Sequence, residues 1–379
     1  MSVIIEINKK NLLWNVESIS RLIGHDKKKM FIIKANAYGH GVREILKIVS
    51  KDKNIDYFAV FDIEEGIIAR SLTKKPILVL SGLIDKKDYL LACKYNLSVT
   101  IASMRQLKIV STLNCALTIY IKVDTGLNRQ GFLLEDKEEI LKILKSLSKN
   151  IKVESLYSHL SSSEDAVFDK YTESQLEYFY QWDDFFIKNN YKLLTHITCS
   201  AASFRVNREL KIKNDFPIYR YGIAGYGLYS SEYIEEKFKN KLKLKPVLSM
   251  YSRIIDIKKI KKGYCVGYDI TYKAKKETII AVLPIGYYNG VSRFLSNKGH
   301  VIINNNKYPI IGRVMMNMII IDITNRNKNT SIKIEIGDKA YFIGGDFNSP
   351  IKVEEIAKLC HTINYETVTN LKCDSRIII

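Results

Sequence analysis

Residues 30–41 of this 379-residue chain read MFIIKANAYGHG. The apolar run predicts a buried strand, Met30–Lys34, which delivers a single lysine before the sequence changes at once to small and turn-forming residues. A lysine amine at the end of a buried strand is costly to hold there unless it has a partner or a chemical task. Two interpretations stay open from these residues alone: a lysine that reaches solvent, and an amine that forms a Schiff base with a carbonyl compound.

Short β-branched runs alternate with longer amphipathic stretches from Met30 to about Gly222. Eight strands are predicted, at Met30–Lys34, Tyr57–Val60, Pro76–Leu80, Leu97–Ile101, Leu117–Val123, Val153–Ser158, Leu194–Thr198 and Ile218–Gly222. Helical patterns lie between them, for example at Val42–Ser50, Ile63–Leu72, Lys137–Leu147 and Tyr171–Ile187. Eight βα alternations predict an α/β fold, a (β/α)8 barrel of the TIM type over residues 8–238. A doubly wound sheet is the alternative, which eight regular repeats without a G-x-G-x-x-G motif disfavour.

The pattern changes from about Leu242. Short alternating runs are separated by Gly, Asn and Asp turns, at Ser249–Ile257, Thr278–Leu283, His300–Ile303, Tyr308–Ile311, Ile319–Ile323 and Lys339–Ile343. Asn304–Asn306 predicts a hairpin turn, and Val353–Leu359 predicts one short helix. We therefore expect a C-terminal antiparallel β domain over residues 239–379, joined by the opening strand at residues 1–7, with Lys237–Lys245 as the linker.

Composition narrows the class of protein. A hydrophobic content of 46% is typical of a soluble protein, and no apolar run approaches the 18 residues of a membrane span. The first residues, Met1–Asn8, lack the pattern of a signal peptide. Because no CxxC pair occurs, the cysteines are expected to be free thiols in a reducing, cytoplasmic compartment, with neither a disulfide framework nor a zinc site; they are Cys93, Cys115, Cys199, Cys265, Cys360 and Cys373.

The formal charge of +19 raises the possibility of nucleic-acid binding. The lysines are spread along the chain in short groups, such as Lys27–Lys29, with Glu and Asp between many of them. Since no nucleic-acid-binding motif accompanies them, we expect neither a nucleic-acid nor a membrane partner. The charge could still attract anionic substrates to a cleft.

A barrel of this type carries its active site at the carboxyl ends of its strands. The polar residues that follow the predicted strands therefore converge on one rim: Lys34 after the first strand, Lys122 and Asp124 after the fifth, His159 after the sixth, Ser200 after the seventh, and Arg220 with Gly222 at the eighth.

These segments resemble, in order, the motifs of the alanine racemase family. Residues 33–41, IKANAYGHG, are similar to its pyridoxal phosphate (PLP) lysine motif V-K-A-N-A-Y-G-H-G, and residues 122–129, KVDTGLNR, to K-x-D-T-G-M-x-R. Ser158-His159 resembles T-H, and residues 219–223, YRYGI, resemble V-R-P-G-I. VGY at 266–268, LPIGY at 283–287 and IGRVMMN at 311–317 look like the motifs of its β domain. The resemblance extends from Lys34 to Tyr365.

The resemblance implies a PLP-dependent isomerase that interconverts L-alanine and D-alanine, the latter for peptidoglycan precursors. Lys34 would hold PLP as a Schiff base and act as one acid/base group. Tyr268, from the partner subunit of a head-to-tail homodimer with shared active sites, would be the other. Two such groups are needed because racemisation removes a proton from one face of the substrate and returns it to the opposite face.

The same resemblance gives His159 and Arg220 supporting roles. The residue matching His159 contacts the catalytic tyrosine, and the one matching Arg220 contacts that imidazole and faces the pyridine nitrogen of PLP. Because arginine stays protonated, the ring nitrogen would remain an unprotonated acceptor and a weaker electron sink. Transamination would then be disfavoured.

Binding residues are also implied. The PLP phosphate would contact Tyr38, Ser200, the backbone N–H groups of Gly222 and Ile223, and Tyr365. The substrate carboxylate would contact Arg129 and the backbone N–H of Met316, while Tyr287 and Tyr365 would narrow the entrance to suit alanine. No metal ion is implied.

Lys122 beside Arg129 is an unfavourable pairing, since two cations repel. In some members of the family the equivalent lysine is carbamylated and becomes an anion. We expect Lys122 to be carbamylated, or a chloride ion to bind there.

Several departures from the family motifs bear on the site. Cys199 stands where Asn is usual, Met315 where Cys is common, Asn317 in place of Asp, and Tyr221 in place of Pro. None of them replaces Lys34, Tyr268, His159 or Arg220. They are therefore expected to affect affinity, rate and substrate scope, and to leave the reaction class unchanged.

Three alternatives stay open. One is a racemase for basic amino acids or a decarboxylase with the same two domains. The second is a PLP-binding protein without turnover, which the domain carrying Tyr268 disfavours. The third is a nucleic-acid-binding protein, which salt-dependent binding to DNA or RNA would reveal.

Overall fold

Two compact units make up the computed structural model, which describes residues 3–324, 333–345 and 350–379. The barrel unit contains Lys10–Ala37 and Ile45–Lys245. The β unit contains Met1–Lys9, Tyr38–Glu44 and Pro246–Ile379. Met1 and Ser2, which the sequence places in the opening strand, lie outside the described residues. Within the part that is described, no helix is long and apolar enough to cross a membrane.

Strands are numbered along the chain, starting with β1 (Val3–Ile7) of the β unit. The barrel unit contains one parallel sheet of eight strands: β2 (Lys28–Ile32), β3 (Tyr57–Val60), β4 (Ile77–Gly82), β5 (Ser98–Ile101), β6 (Leu117–Lys122), β7 (Ile151–Tyr157), β8 (Leu194–His196) and β9 (Ile218–Tyr221). Their spatial order is β8-β7-β6-β5-β4-β3-β2-β9.

Strand β2 has a neighbour on each side, so that Met30 lies opposite Tyr57 on β3 and opposite Arg220 on β9. The two ends of the sheet meet where the backbone N–H of Arg220 donates to Thr198 Oγ1 at 3.0 Å, just beyond β8. This near-closed parallel sheet confirms the predicted barrel. The predicted strand Met30–Lys34 is wrong at its end, because β2 stops at Ile32 and a turn begins at Lys34.

Helices follow the barrel strands, and several of them are capped at the N-terminus by the side chain of the residue that precedes the helix. Asp62 Oδ1 accepts from the backbone N–H of Glu65 at 2.9 Å, and Ser103 and Ser231 cap two further helices in the same way. The helices of the barrel unit and its linkers are Lys9–Ile23, Val42–Val49, Ile63–Arg70, Lys86–Lys94, Met104–Ser111, Lys137–Lys145, Asp169–Lys188, Ser200–Arg205 and Glu232–Phe238.

The Asp169–Lys188 helix shows what holds this outer layer. It buries Leu176, Phe179, Trp182 and Phe186, which recur at helical spacing on one face. Full burial of such a side chain stabilises the fold by about 1.5–3 kcal/mol. Apolar periodicity in the sequence is therefore enough to place this helix.

The predicted linker is fixed within the barrel unit. Its first part lies in the Glu232–Phe238 helix, and its last part packs on the Lys9–Ile23 helix. Trp14 Nε1 donates to the carbonyl of Lys243 at 2.8 Å, and Asn15 exchanges two 2.8 Å hydrogen bonds with the backbone of Lys245.

The β unit contains a nine-stranded sheet in the order β11-β12-β15-β14-β13-β16-β10-β1-β17. Its remaining strands are β10 (Leu248–Arg253), β11 (Asp256–Ile260), β12 (Thr278–Leu283), β13 (His300–Ile303), β14 (Asn306–Ile311), β15 (Ile319–Asp322), β16 (Lys339–Ile343) and β17 (Ser375–Ile378). Neighbours are antiparallel except β1 and β17. Strand β1 pairs with β10 and so lies within this sheet.

The predicted strand Ser249–Ile257 is two strands. Ile254 N–H bonds to Asp338 O beside β16, whereas Ile255 N–H bonds to Val282 O on β12. The chain thus changes partner strand between these two residues, which alternation in the sequence does not reveal.

The Asn-rich turn is confirmed. Ile303 pairs with Asn306, and the two residues between them, Asn304 and Asn305, have φ values of 48° and 62°. Positive φ at both positions is the type I′ turn that a two-residue hairpin favours, and asparagine tolerates it.

The prediction of a single helix in this unit is wrong. Asn364–Thr369 forms a second helix after Val353–Leu359. It has six residues, several of them β-branched, so its propensity is weak and packing must order it. Val368 and Thr367 supply that packing, since both are buried.

The expectation of six free thiols is also wrong. Cys93 and Cys115 form a disulfide with a Cα–Cα distance of 6.2 Å. Each cysteine precedes one of two neighbouring strands, β5 and β6, and the sheet brings the two together although 22 residues separate them. The other four cysteines are free, and within the described ranges no group of three His, Cys, Asp or Glu could hold a metal ion.

Candidate active site

Lys34 opens a left-handed helical turn, Lys34–Tyr38. Ala35, Asn36, Ala37 and Tyr38 have φ values of 53°, 51°, 55° and 52°. Each L-residue in this conformation costs roughly 1–2 kcal/mol, so surrounding contacts must hold the turn in place. Such strain in successive residues is characteristic of functional sites. The turn directly follows a buried strand and sets the backbone from which the Lys34 side chain starts.

The Lys34 amine lies in a cationic environment. Burial lowers the pKa of Lys34 below its ordinary value, the positive charges of Arg129 and Arg220 lower it further, and Glu65 opposes them. Within the described residues, the amine makes no hydrogen bond or ion pair. A lysine that is more often neutral is better able to attack a carbonyl carbon or to accept a proton.

Arg220 is buried, with 4% of its surface exposed, and its guanidinium is bonded to backbone carbonyls. Nε donates to Thr198 O at 2.9 Å, and Nη2 donates to Ser158 O at 2.6 Å and to Ile197 O at 3.1 Å. Nη2 also lies 3.3 Å from His159 Nδ1. These contacts fix the guanidinium plane at the rim formed by three strand ends.

His159 is held neutral. Burial, followed by the charges of Arg220, Arg129 and Lys122, lowers the pKa of His159 well below its ordinary value. A guanidinium can only donate, so Nδ1 of His159 is the acceptor in this pair and the ring proton resides on Nε2. His159 therefore presents an N–H donor on the side away from Arg220.

Two buried aromatic residues, Tyr157 and His196, pack next to Arg220 and Lys122, and the sequence motifs did not predict them. Arg220 and Lys122 lie 5.3 Å and 5.6 Å from the centroid of the Tyr157 ring. His196 stacks on Tyr157 with centroids 4.8 Å apart. Burial, together with the charges of Arg220 and Lys122, lowers the pKa of His196 well below its ordinary value, so it adds no further positive charge. In the sequence, the signal that could have identified Tyr157 is its place in the predicted strand, one residue before Ser158-His159.

Asp124 organises the loop that carries Arg129. Its Oδ1 accepts from Gly126 N at 2.8 Å and from Asn128 N at 3.0 Å, and its Oδ2 accepts from Arg129 N at 3.1 Å. Gly131, with φ of 137°, is needed here because a Cβ would lie 2.5 Å from Asp124 N. Asp124 is thus committed to backbone donors and fixes where Arg129 begins.

Lys122 is buried beside this loop, and its Nζ donates to Gln130 O at 2.8 Å. Burial, and then the charge of Arg220, lowers the pKa of Lys122 to about 8, although Asp124 opposes the shift. An appreciable fraction of this amine is therefore neutral near neutral pH.

Ser200 begins the Ser200–Arg205 helix and lies beside the end of β9. Its Oγ accepts from Gly222 N at 3.0 Å and from Ala224 N at 3.4 Å. A buried hydroxyl beside backbone N–H groups is a donor set that suits a phosphate dianion. The side chain of the neighbouring Cys199 points to Ser163, with Sγ 3.1 Å from Ser163 Oγ. Burial raises the pKa of the Cys199 thiol.

Three predicted residues lie on adjoining loops of the β unit. Tyr287 N donates to Met315 O at 2.9 Å, and the next residue bonds to Met316 O. Gly286 permits this approach, because a Cβ there would lie 2.2 Å from Met315 O. Tyr268 follows Gly267, which has φ of 74°, and 67% of Tyr268 is exposed.

Tyr38 and Tyr365 form the other group of the β unit, with ring centroids 6.2 Å apart. Gly39 makes this possible: its φ is 79°, and a Cβ would lie 2.0 Å from Val368 O. Arg376 Nη2 donates to Gly39 O at 3.0 Å and secures the segment.

The predicted site residues therefore fall into two sets, one in each unit. The barrel unit holds the cationic set: Lys34, Lys122, Arg129, His159, Ser200, Arg220, Gly222 and Ile223. The β unit holds the tyrosine-rich set: Tyr38, Tyr268, Tyr287, Met316 and Tyr365. The first set offers a poised amine, a fixed cationic donor and a place for an anion, which together suit a phosphorylated aldehyde.

Comparisons with known proteins agree with this chemistry. The family model "Alanine racemase, N-terminal domain" matches residues 7–230, and "Alanine racemase, C-terminal domain" matches residues 247–378. Alanine racemase 1 of Clostridium acetobutylicum is 33% identical over 375 residues, which is 96% of this chain and 91% of that protein.

Solved structures give the same result. Alanine racemase from Clostridium difficile 630 has a TM-score of 0.88 at 29% identity, covering 100% of this chain and 96% of that one. Alanine racemase from Bartonella henselae with covalently bound pyridoxal phosphate has a TM-score of 0.83 at 25% identity, covering 100% of both chains. With both family models and a full-length relative in agreement, this chain belongs to the alanine racemase family.

Proposed function

We propose that Lys34 and Tyr268 are the two acid/base groups with which this chain interconverts L-alanine and D-alanine. Racemase activity and dependence on PLP are typical of the family to which the chain belongs. The observation that carries the assignment is the Lys34 amine itself, which is without a hydrogen bond in the described structure and has a lowered pKa among fixed cations.

The residues present fit PLP. The Lys34 amine can bond to its aldehyde carbon. The Ser200 hydroxyl, which lies 3.0 Å from Gly222 N, is proposed to bind its phosphate together with the N–H groups of Gly222 and Ile223. Tyr38 and Tyr365 are proposed to add phenolic donors to the phosphate. Bound PLP supplies an electron-withdrawing ring that makes the Cα proton of an amino acid removable.

The proposed chemistry transfers a proton on two faces of the substrate. Lys34 exchanges the proton on one face of the substrate, and Tyr268 of the partner subunit exchanges it on the other. His159 assists the tyrosine, because its Nε2–H is the side left for donation once Nδ1 accepts from Arg220. A donor at the phenolic oxygen stabilises the charge that appears there when the proton leaves.

Arg220 controls where the proton returns. Its guanidinium would face the pyridine nitrogen of bound PLP as a donor that stays protonated, and it would thereby keep this nitrogen an unprotonated acceptor. Negative charge on the substrate Cα is then less delocalised, and reprotonation at that carbon is favoured over transamination.

The substrate carboxylate is proposed to bind Arg129 and the backbone N–H of Met316. Tyr287 and Tyr365 would restrict the side chain to the size of alanine. Lys122 would be carbamylated, or would bind chloride, so that the charge beside Arg129 is balanced; its neutral fraction makes reaction with carbon dioxide feasible.

A head-to-tail homodimer is proposed because a residue of the second subunit must complete each site. Its support is the exposure of the apolar residues around Tyr268, among them Ile270 at 70% and Met316 at 56%. Also proposed are a cytoplasmic location, D-alanine supply for peptidoglycan, and domain limits of 8–238 and 239–379 with residues 1–7.

One experiment tests the assignment. Borohydride reduction of the PLP-loaded protein should fix PLP onto Lys34, and single enantiomers of alanine in D₂O should gain deuterium at Cα. Serine and lysine test the alternative of a racemase with wider scope, and carbon dioxide release tests for a decarboxylase. Absence of exchange with all three amino acids would overturn the racemase proposal and favour PLP binding without turnover.

A further inference from the structure

Glu65 is a carboxylate beside the Lys34 turn that no motif predicted. It lies in the first turn of the Ile63–Arg70 helix and is partly buried. Asp62 caps this helix by accepting from the backbone N–H of Glu65 at 2.9 Å. The start of the helix is thus fixed, and the Glu65 side chain projects from a defined backbone position.

Both carboxylate oxygens of Glu65 accept backbone hydrogen bonds from other segments. Oε1 accepts from Asn36 N at 3.0 Å, and Oε2 accepts from Phe61 N at 2.8 Å. Asn36 is the second of the four successive left-handed residues, and Phe61 directly follows β3. Glu65 therefore joins the turn that carries Lys34 to the end of the neighbouring strand.

This contact meets a requirement of the turn. Four left-handed residues without glycine are disfavoured by their own backbone, so the turn depends on bonds from outside it. Ala37 N bonds to Ile33 O at 2.9 Å within the segment, while the bond to Asn36 comes from Glu65. A carboxylate acceptor makes a stronger bond to an N–H group than a neutral acceptor does.

Glu65 also differs in sign from the other charges that act on Lys34. Arg129 and Arg220 both disfavour the protonated amine, and Glu65 favours it. One carboxylate therefore holds the backbone of the turn and moderates the cationic field at the amine.

We infer that Glu65 is a positioning residue for Lys34, which fixes the left-handed turn through Asn36 N and balances the charge of Arg129 and Arg220. This inference rests on the proposal that Lys34 binds PLP. Glu65 itself is not expected to exchange a proton with the substrate.

The test compares Glu65→Gln with Glu64→Gln. Glu64 is the preceding residue of the same helical turn and is exposed, so its replacement removes an equal charge and leaves the Asn36 and Phe61 bonds intact. In Glu65→Gln the amide oxygen can accept from only one of these N–H groups, and the amide NH₂ then faces the other.

Two readouts are measured. The first is the dissociation constant of PLP from the apoprotein, which should rise roughly tenfold in Glu65→Gln and stay unchanged in Glu64→Gln. The second is the midpoint pH for acetylation of Lys34 in the apoprotein, followed by mass spectrometry. Loss of the nearby anion should move this midpoint to lower pH in Glu65→Gln alone.

Glu65→Asp separates the two effects and replaces Glu65→Gln if that variant does not fold. Aspartate keeps the charge but is one methylene shorter, so PLP should bind more weakly while the Lys34 midpoint stays near that of the wild type. A purely structural role would not move the midpoint in Glu65→Gln.

The outcomes also distinguish this inference from the assignment of Lys34. If borohydride fixes PLP onto a different lysine, the proposed function fails whatever the Glu65 variants do. If PLP is on Lys34 and Glu65→Gln or its substitute matches the wild type in both readouts, the inference about Glu65 is overturned.

Discussion

Arg220 Nη2 lies 3.3 Å from His159 Nδ1, and this contact sets the protonation of the imidazole. Since the guanidinium only donates, the proton of the neutral ring is on Nε2. The same guanidinium is tied to the carbonyls of Ser158, Ile197 and Thr198, so it is held in place beside the imidazole. A fixed cation thereby controls the donor that His159 would offer to the proposed catalytic tyrosine, and it would also make the proposed contact to the cofactor ring.

Replacing Tyr268 by Phe should stop proton transfer on one face only. We expect deuterium exchange into L-alanine to fall by about 10²–10⁴-fold, the typical contribution of a positioned acid/base group. Exchange with D-alanine, which would use Lys34, should persist at a higher rate. Mass spectrometry of alanine recovered from D₂O measures both, and PLP absorbance provides the control for cofactor binding. Equal exchange with both enantiomers would contradict the two-base assignment.

Replacing Arg220 by Lys should shift the products toward transamination. An ammonium is a compact point charge that cannot reproduce the planar set of bonds to Thr198, Ser158 and His159. Racemisation should decrease by about 10-fold or more, as expected when several charge-assisted bonds are lost. Pyruvate per turnover should increase, as measured with lactate dehydrogenase. Wild-type pyruvate yield in the variant would show that Arg220 does not govern where the proton returns.

Sequence patterns were sufficient for the barrel, because apolar strand residues and helical periodicity report burial directly. They also placed Lys34, His159 and Arg220 on one rim, since the strand ends alone fix that arrangement. They could not show the Cys93–Cys115 pair, the left-handed turn or the Glu65 contact. Each of these depends on which segments become neighbours in space, and the local sequence does not show which distant segments come together.

The buried Lys122 predicts a stability that rises with pH. Its pKa is about 8 in the folded protein against 10.5 for an ordinary lysine, so between these values the unfolded chain binds more protons and unfolding becomes less favourable as pH rises. The penalty near pH 7 is roughly 3 kcal/mol. Lys122→Met should therefore be more stable than the wild type at pH 7, in buffer free of carbon dioxide, and lose that advantage by about pH 11.

Urea unfolding at several pH values measures this difference, and added bicarbonate tests the carbamate. If Lys122 is carbamylated, bicarbonate should raise the free energy of unfolding of the wild type and leave Lys122→Met unchanged. A high-resolution map that shows a bare ammonium beside Arg129, without chloride, would refute both proposed forms.

Gly39 should be intolerant of any side chain. Gly39→Ala places a methyl group 2.0 Å from Val368 O at a φ of 79°, so strain and a backbone clash combine. Gly337 is a matched control, because its φ is 96° and no atom of the described residues lies within 4 Å of the place that an added methyl group would occupy. We expect Gly337→Ala to cost about 1–2 kcal/mol from strain alone, and Gly39→Ala to cost clearly more. Thermal unfolding of both variants measures the difference.

Shared active sites predict complementation between two inactive variants. Lys34→Ala and Tyr268→Phe should each lack racemase activity as homodimers. In a mixed dimer, Lys34 of one chain meets Tyr268 of the other, so one of the two sites is intact and the second carries both substitutions. Random exchange makes about half of the dimers mixed, and about a quarter of all sites are then active.

The measurement is alanine racemisation after the two purified variants are mixed, mildly dissociated and allowed to reassociate. Each variant treated alone in the same way is the control. Recovery of about a quarter of the wild-type rate supports a partner-derived tyrosine. If no activity returns although differently tagged chains copurify as mixed dimers, Lys34 and Tyr268 of a single chain form each site, and the head-to-tail arrangement is wrong.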